Sequence, residues 1–197
     1  MGSASNEVNV GITIIPRGDS RYPARLLQRM GTDAPLELTA LGNLDLMALP
    51  KTALFCSARC PGNVILPTYD QAAKWRDTGR CVIGGFHSPV EKECLQILLR
   101  GETPVILCPA RNMLERLPAP WLIAVASGRM LVLSAFSVTA SRITAKLAAR
   151  RNEIVAALAD EVFISYATPS GQLEKLTHRL REWGIPLTSK SSDCTKA

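Results

Sequence analysis

The chain has 197 residues, of which 47% are hydrophobic and 20% charged, the balance of an ordinary folded domain rather than of a disordered, fibrous or disulfide-stapled chain. Lys and Arg total 23 against 17 Asp and Glu, a net charge of +6, which points towards phosphate-bearing partners without selecting one. No apolar run reaches the roughly 18–20 residues of a membrane span, and Met1–Asn6 has neither the charged nor the apolar region of a signal peptide. A cytoplasmic protein with no membrane partner is therefore expected.

The first eight residues are polar, and Asn9–Pro16 alternates loosely enough for a short strand. Tyr22-Pro23 opens a short helix over Arg21–Met30, with Pro in its first turn. Residues 31–50 carry Pro35, Gly42, Asn43 and Pro50 and read as loop and turns. From residue 51 the texture changes to short apolar runs separated by helical patterns. Strands are predicted at Thr52–Ala58, Cys81–Gly85, Val105–Cys108, Met130–Ala135, Val162–Tyr166 and Ile185–Thr188. Helices are predicted at Tyr69–Thr78, Val90–Leu99, within Leu114–Ala126, over Thr139–Leu158 and over Ser170–Trp183, several of them closed by glycine. Strands alternating with helices imply parallel crossovers. Continuously apolar strands imply burial on both faces. The expected architecture is α/β, a Rossmann-like doubly wound and mostly parallel sheet with helices on both faces. We divide the chain into an N-terminal extension of helix and loops (1–50), the Rossmann-like domain (51–190) and a tail (191–197).

The six Cys are unremarkable as metal ligands. Cys56, Cys81, Cys94 and Cys108 lie in apolar or periodic segments and read as small core residues of a reduced protein. Cys56 and Cys60, even with His87, lack zinc-site spacing, so no metal or other cofactor is expected.

Doubly wound sheets bind ligands beyond the carboxyl ends of their strands, so the residues that follow each strand carry the functional reading. Ser57-Ala58-Arg59 offers small residues for a close backbone approach and a guanidinium for bidentate phosphate contact; Arg59 suits a solvated loop equally well. Gly84-Gly85 before a helix N-terminus suits a phosphate cradle, or simply a tight turn. Ser170-Gly171 precedes another helix N-terminus that can receive an anion. On the long helix, Arg142, Lys146 and Arg150 share one face, beside Arg151, with Ile143, Leu147, Ile154 and Leu158 opposite as a core stripe. That basic stripe suits the track of a nucleic-acid backbone, or a solvated face. The dinucleotide GxGxxG and the Walker A pattern are both absent. His87 and His178 read as turn or surface residues, and no catalytic triad is visible among Ser57, Ser88 and Ser170, so no catalytic residue is assigned.

The order of these pieces resembles the DNA-processing protein A (DprA/Smf) family, within the wider Rossmann-like Smf/LOG group. Tyr22-Pro23…Leu26 and Gly42-Asn43-Leu44 match its opening segments. Ser57-Ala58-Arg59 stands for its Gly-Ser-Arg, keeping the Arg. Gly85, followed by Val90-Glu91, stands for its Ser-Gly-Leu-Ala-x-Gly-Ile-Asp. Arg151-Asn152-Glu153 through Asp160 is similar to its Arg-Asn-Arg-Ile-Ile-Ala-Gly-Leu-Ser-Asp, and Ser170-Gly171 to its later Ser-Gly. The resemblance covers roughly residues 21–175. It implies single-stranded DNA binding without catalysis, a recombinase partner, and phosphate contacts from Arg59 and Arg151, with Gly85 and Ser170 shaping the pocket. A homodimer is a further expectation. Three departures stand out. Glu153 replaces the second Arg, Ser134-Ala135 replaces a Ser-Glu, and no winged-helix module follows near residue 197. The sister LOG enzymes' Pro-Gly-Gly-x-Gly-Thr motif is missing, which disfavours nucleoside monophosphate cleavage. The alternative reading is a small-nucleotide sensor or processing enzyme using the same cleft, with Glu91 or Glu153 as acid or base and Phe86 or Phe136 as stacking aromatics in the nucleic-acid case.

Overall fold

The computed structural model describes residues 11–114, 116–136 and 142–188. Among these, eight strands form one sheet: β1 (Ile12–Pro16), β2 (Glu37–Gly42), β3 (Lys51–Cys56), β4 (Cys81–Gly84), β5 (Val105–Leu107), β6 (Met130–Ser134), β7 (Glu161–Tyr166) and β8 (Leu187–Thr188). Their spatial order is β1-β2-β6-β5-β4-β3-β7-β8. From β6 to β8 every neighbouring pair is parallel, whereas β1 and β2 add an antiparallel edge beside β6. The α/β doubly wound expectation therefore holds. The reading of 31–50 as loop does not, because β2 lies within it. Its Thr39–Gly42 pairs with Ser134–Leu131 of β6, and Leu38, Ala40 and Leu41 are buried by that pairing. Three turn-forming residues nearby masked a six-residue strand that long-range pairing creates.

The helices are α1 (Ala24–Met30), α2 (Gly62–Thr78), α3 (Pro89–Leu99), α4 (Ala119–Ala126), α5 (Ala145–Leu158) and α6 (Gln172–Glu182). One apolar layer sets α1, α5 and α6 on one face through Leu26, Val155, Ala156, Leu176 and Leu180. The other sets α2, α3 and α4 on the opposite face through Ala72, Trp75, Cys94, Leu98 and Ala124. Trp75 meets Phe163 of β7 edge-on at 5.2 Å, a favourable aromatic geometry. The central strands β3 to β6 are buried end to end, as a sheet covered on both faces requires, while β1 and β8 at the two edges are largely exposed.

Two helix boundaries differ from expectation. α2 begins at Gly62, seven residues before Tyr69, and carries Pro67 in its interior. Proline usually ends a helix, but Pro67 is the sixth residue of α2, beyond the first turn, and the helix runs on through it to Thr78. α5 begins at Ala145, with the Thr144 side chain accepting from Leu147 N at 3.2 Å; an N-cap of that kind starts a helix rather than continuing one. Arg142 and Ile143 consequently precede the helix. Ile143 is 46% exposed, so it is not part of a core stripe. The expected start at Thr139, Asn9–Val10, the tail 191–197 and Cys194 lie outside the described residues.

Candidate nucleic-acid interface

The sheet reverses its winding between β3 and β7: β4, β5 and β6 follow on one side of β3, while β7 and β8 lie on the other. Such a switch point opens a crevice at the carboxyl ends of the strands. Two of the segments singled out by sequence meet there. The Ser57 hydroxyl accepts from Thr168 N at 2.9 Å, and Thr168 Oγ1 donates to the Arg59 carbonyl. Ser57 N also bonds the Tyr166 carbonyl at 3.0 Å. The loop holding Arg59 is thereby fastened to the loop that leads into Ser170-Gly171 and α6. Arg59 itself is exposed. Ser170 has φ +58°, a left-handed conformation uncommon for a side-chain-bearing residue. Its N–H is taken by Glu174 of α6.

On the other flank of β3, Glu91 does the fastening. Its carboxylate is only 6% exposed. It accepts from Cys56 N at 2.8 Å, His87 N at 2.8 Å and Ser88 N at 3.2 Å, while Ser88 Oγ accepts from Glu91 N. This is a capping box extended to a neighbouring strand. It satisfies N–H groups at the start of α3 with the protein's own carboxylate. The Gly84 and Gly85 amides are not among its donors, whereas the His87 and Ser88 amides that follow them are bonded from within.

Arg151 is likewise not where an exposed phosphate contact would put it. It is 5% exposed, donates from Nη1 to the Cys108 carbonyl at 3.1 Å and from Nε to Asn152 Oδ1 at 2.8 Å, and lies under the Gly84-Gly85 turn. A Cβ on Gly85 would fall 1.2 Å from Arg151 Nη1, so glycine is required there by the guanidinium and not by a left-handed backbone. Burial lowers the Arg151 pKa from its ordinary value, opposed by the Glu91 carboxylate. Arg151 therefore underpins the rim and contributes positive potential beneath it. Asn152, half-buried, serves as its acceptor.

The basic stripe divides. Arg150 is engaged with Glu153 at 3.0 Å and with the Asp33 carbonyl, which ties α5 to the N-terminal segment. Lys146 and Arg142 are exposed. Lys146 and Arg150 line an open groove of about 630 Å³ between α5 and the first residue of α6, Gln172, which directly follows Gly171. The structure brings Ser57, Arg59, Ser170 and Gly171 together, sets Gly84, Gly85, Arg151 and Asn152 beside them as scaffold, and leaves Arg142, Lys146 and Arg150 leading away. Phe86 is 4% exposed in the core, so it cannot stack on a base; Phe136 is half-exposed after β6.

Sequence reasoning missed Thr168, for which no local signal exists, and the clamp role of Glu91, for which one does: Ser88-x-x-Glu91 before an apolar run is a capping-box pattern. It also missed Arg111, after β5, whose carbonyl accepts from the buried Ser134 hydroxyl at 2.7 Å and whose Nε is buried with no hydrogen-bond partner among the described residues. The buried thiols of Cys81 and of Cys56, Cys94 and Cys108 are pushed up by burial to about 11 and about 12 respectively, consistent with core residues. Among the described residues no helix is long and apolar enough to cross a membrane.

Among curated proteins none matches this chain. Among solved structures, the chain is similar to DNA processing protein A (DprA) from Streptococcus pneumoniae, with a TM-score of 0.76 and 20% identity over 93% of this chain. It spans 65% of that protein's length. It is also similar to DNA processing protein A from Helicobacter pylori, described for its single-stranded DNA binding mode, with a TM-score of 0.73 and 17% identity over 96% of this chain and 85% of that one. At these identities the likeness is one of fold. The family model described as DNA recombination-mediator protein A matches residues 13–181, most of the chain, and the chain belongs to that family.

Proposed function

We propose that this protein binds single-stranded DNA without catalysis, at the rim formed by the loops after β3 and β7, as a step in DNA processing or recombination. The observation that carries the reading is the Ser57–Thr168 bond at the switch point, which fastens the loop of the exposed Arg59 to the loop that leads into Ser170-Gly171 and α6. A strand's phosphates would meet Arg59 first and run towards Lys146 and Arg142. Arg151 supports this reading from below through its charge. Family membership and the description of the Helicobacter relative agree with it. A recombinase that receives the bound strand, and a second copy of the chain, are the partners we propose.

Anisotropy titration with short labelled oligonucleotides at two salt concentrations tests this. Binding that falls steeply with salt and weakens in Arg59→Ala supports it; no binding at low salt overturns it. The small-nucleotide reading uses the same crevice, and its test is thermal stabilisation by mononucleotides, which rises with ligand concentration by mass action.

A further inference from the structure

The Cys56/Cys60 pair was set aside as a metal site, and core packing accounts for only one of them. Cys56 ends β3 and is 3% exposed. Cys60 is half-buried, yet packs against the same apolar cluster that contains Cys56. The three intervening residues must therefore double back so that both ends return to one core. The doubling begins at an irregularity in the β3–β7 register between Phe55 and Cys56. It is held open on its outer side by the two bonds from Thr168 to Ser57 and Arg59. The two side chains consequently pack on one cluster, four residues apart, and the Cys56 thiol donates to the Ser57 carbonyl at 3.5 Å, inside the loop that they enclose. The residues enclosed between them are Ser57, Ala58 and Arg59, the loop on which the proposed DNA contact rests.

We propose that Cys56 and Cys60 are a thiol–disulfide modification site, closed by low-molecular-weight disulfides, whose closure draws in the Arg59 loop and weakens the binding of single-stranded DNA. The half-exposed Cys60 thiolate attacks one sulfur of the small disulfide. This forms a mixed disulfide and expels one thiolate. The Cys56 thiolate then attacks Cys60 Sγ and expels the second. Two protein thiols are oxidised, one small disulfide is reduced to two thiols, and the protons of Cys56 and Cys60 pass to the departing thiolates. Burial holds the Cys56 thiol up at about 12, so the second step is the slow one and quickens as pH rises. Cys94 is the competing partner. It is fully buried, and its thiol faces the Thr68 carbonyl of α2.

The modification is read without reference to DNA; its effect on binding rests on the proposed function. The full chain, reduced and then equilibrated with glutathione disulfide, is alkylated and digested with trypsin. Cleavage after Arg59 puts Cys56 and Cys60 in different peptides, so a disulfide between them appears as a linked pair that separates on reduction. The expected result is that pair in the wild type and in Cys94→Ser, its absence in Cys60→Ser, and a Cys60–glutathione adduct accumulating in Cys56→Ser. Oligonucleotide affinity of the wild type should fall severalfold on oxidation and recover on reduction, while Cys60→Ser binds equally under both conditions. No linked pair, or linkage of either residue to Cys94 instead, overturns the site. A linked pair in a protein whose affinity is unchanged overturns the coupling. If the reduced protein does not bind oligonucleotide at all, the DNA reading fails, and the linked pair alone decides the modification site.

Discussion

At the scale of single residues, the two arginines that the sequence ranked together have separate tasks. Arg59 is exposed at the switch point, so Arg59→Ala should leave the melting temperature within a degree or so while weakening oligonucleotide binding about tenfold, roughly the worth of one charge-assisted phosphate contact. It should also make the dependence of log affinity on log salt shallower by about 0.7, the share of one phosphate on a single strand. Arg151 is buried beneath Gly85. Arg151→Met and Gly85→Ala should each destabilise the fold by about 3 kcal/mol in urea unfolding, the first by leaving the Glu91 carboxylate without its buried counter-charge and the second by forcing that guanidinium out of place. Oligonucleotide binding by whatever folded fraction remains should fall less than in Arg59→Ala. Equal losses of affinity with intact stability in Arg151→Met would instead make Arg151 a direct phosphate ligand.

At the scale of elements, helix ends decide what can bind. α3 is closed by Ser88 and Glu91, and Ser88→Ala should cost about 1 kcal/mol of stability, measurable as a lower urea midpoint with unchanged slope. The C-terminus of α5 is closed from another element: Arg29 of α1 donates to the carbonyls of Ala156, Ala157 and Ala159. The residue that follows, Asp160, accepts from Lys51 N at 2.8 Å and from Arg25. Partial burial raises the Asp160 pKa, but the bond from Lys51 N and the Arg25 and Lys51 charges outweigh it, and the net pKa is lowered. A carboxyl depressed on folding contributes stability that is present above its unfolded value, near pH 4, and is lost as pH falls through the folded value. Asp160→Asn should therefore cost about 1 kcal/mol at pH 7 and flatten the acid limb of the stability curve below about pH 4. An unchanged acid limb would remove Asp160 from the account.

At the scale of the whole molecule, a parallel sheet directs its ligand crevice to the carboxyl ends of its strands, and the net charge of +6 sets the electrostatics there. If Arg59, Lys146, Arg142 and the field of Arg151 act together, log affinity should fall with log salt at a slope of about −2 to −3; a slope near zero would mean that the charge surplus has nothing to do with binding. The order of apolar runs and glycines was enough to establish the doubly wound α/β class, because burial of strands on both faces leaves continuous hydrophobic runs that no turn residue interrupts. It was enough, too, to point at Ser57, Arg59, Ser170 and Gly171, since strand ends are visible as the places where those runs stop. β2 was hidden, because an antiparallel strand that ends on Gly42-Asn43 gains its identity only from pairing with β1 on one side and, on the other, with β6, about ninety residues away in the chain. The roles of Arg150 and Arg151 were hidden for the same reason. Helical spacing tells which face a side chain leaves from. Whether that face meets water, the Asp33 carbonyl or the underside of a glycine turn depends on how distant segments pack, and only the folded arrangement decides it.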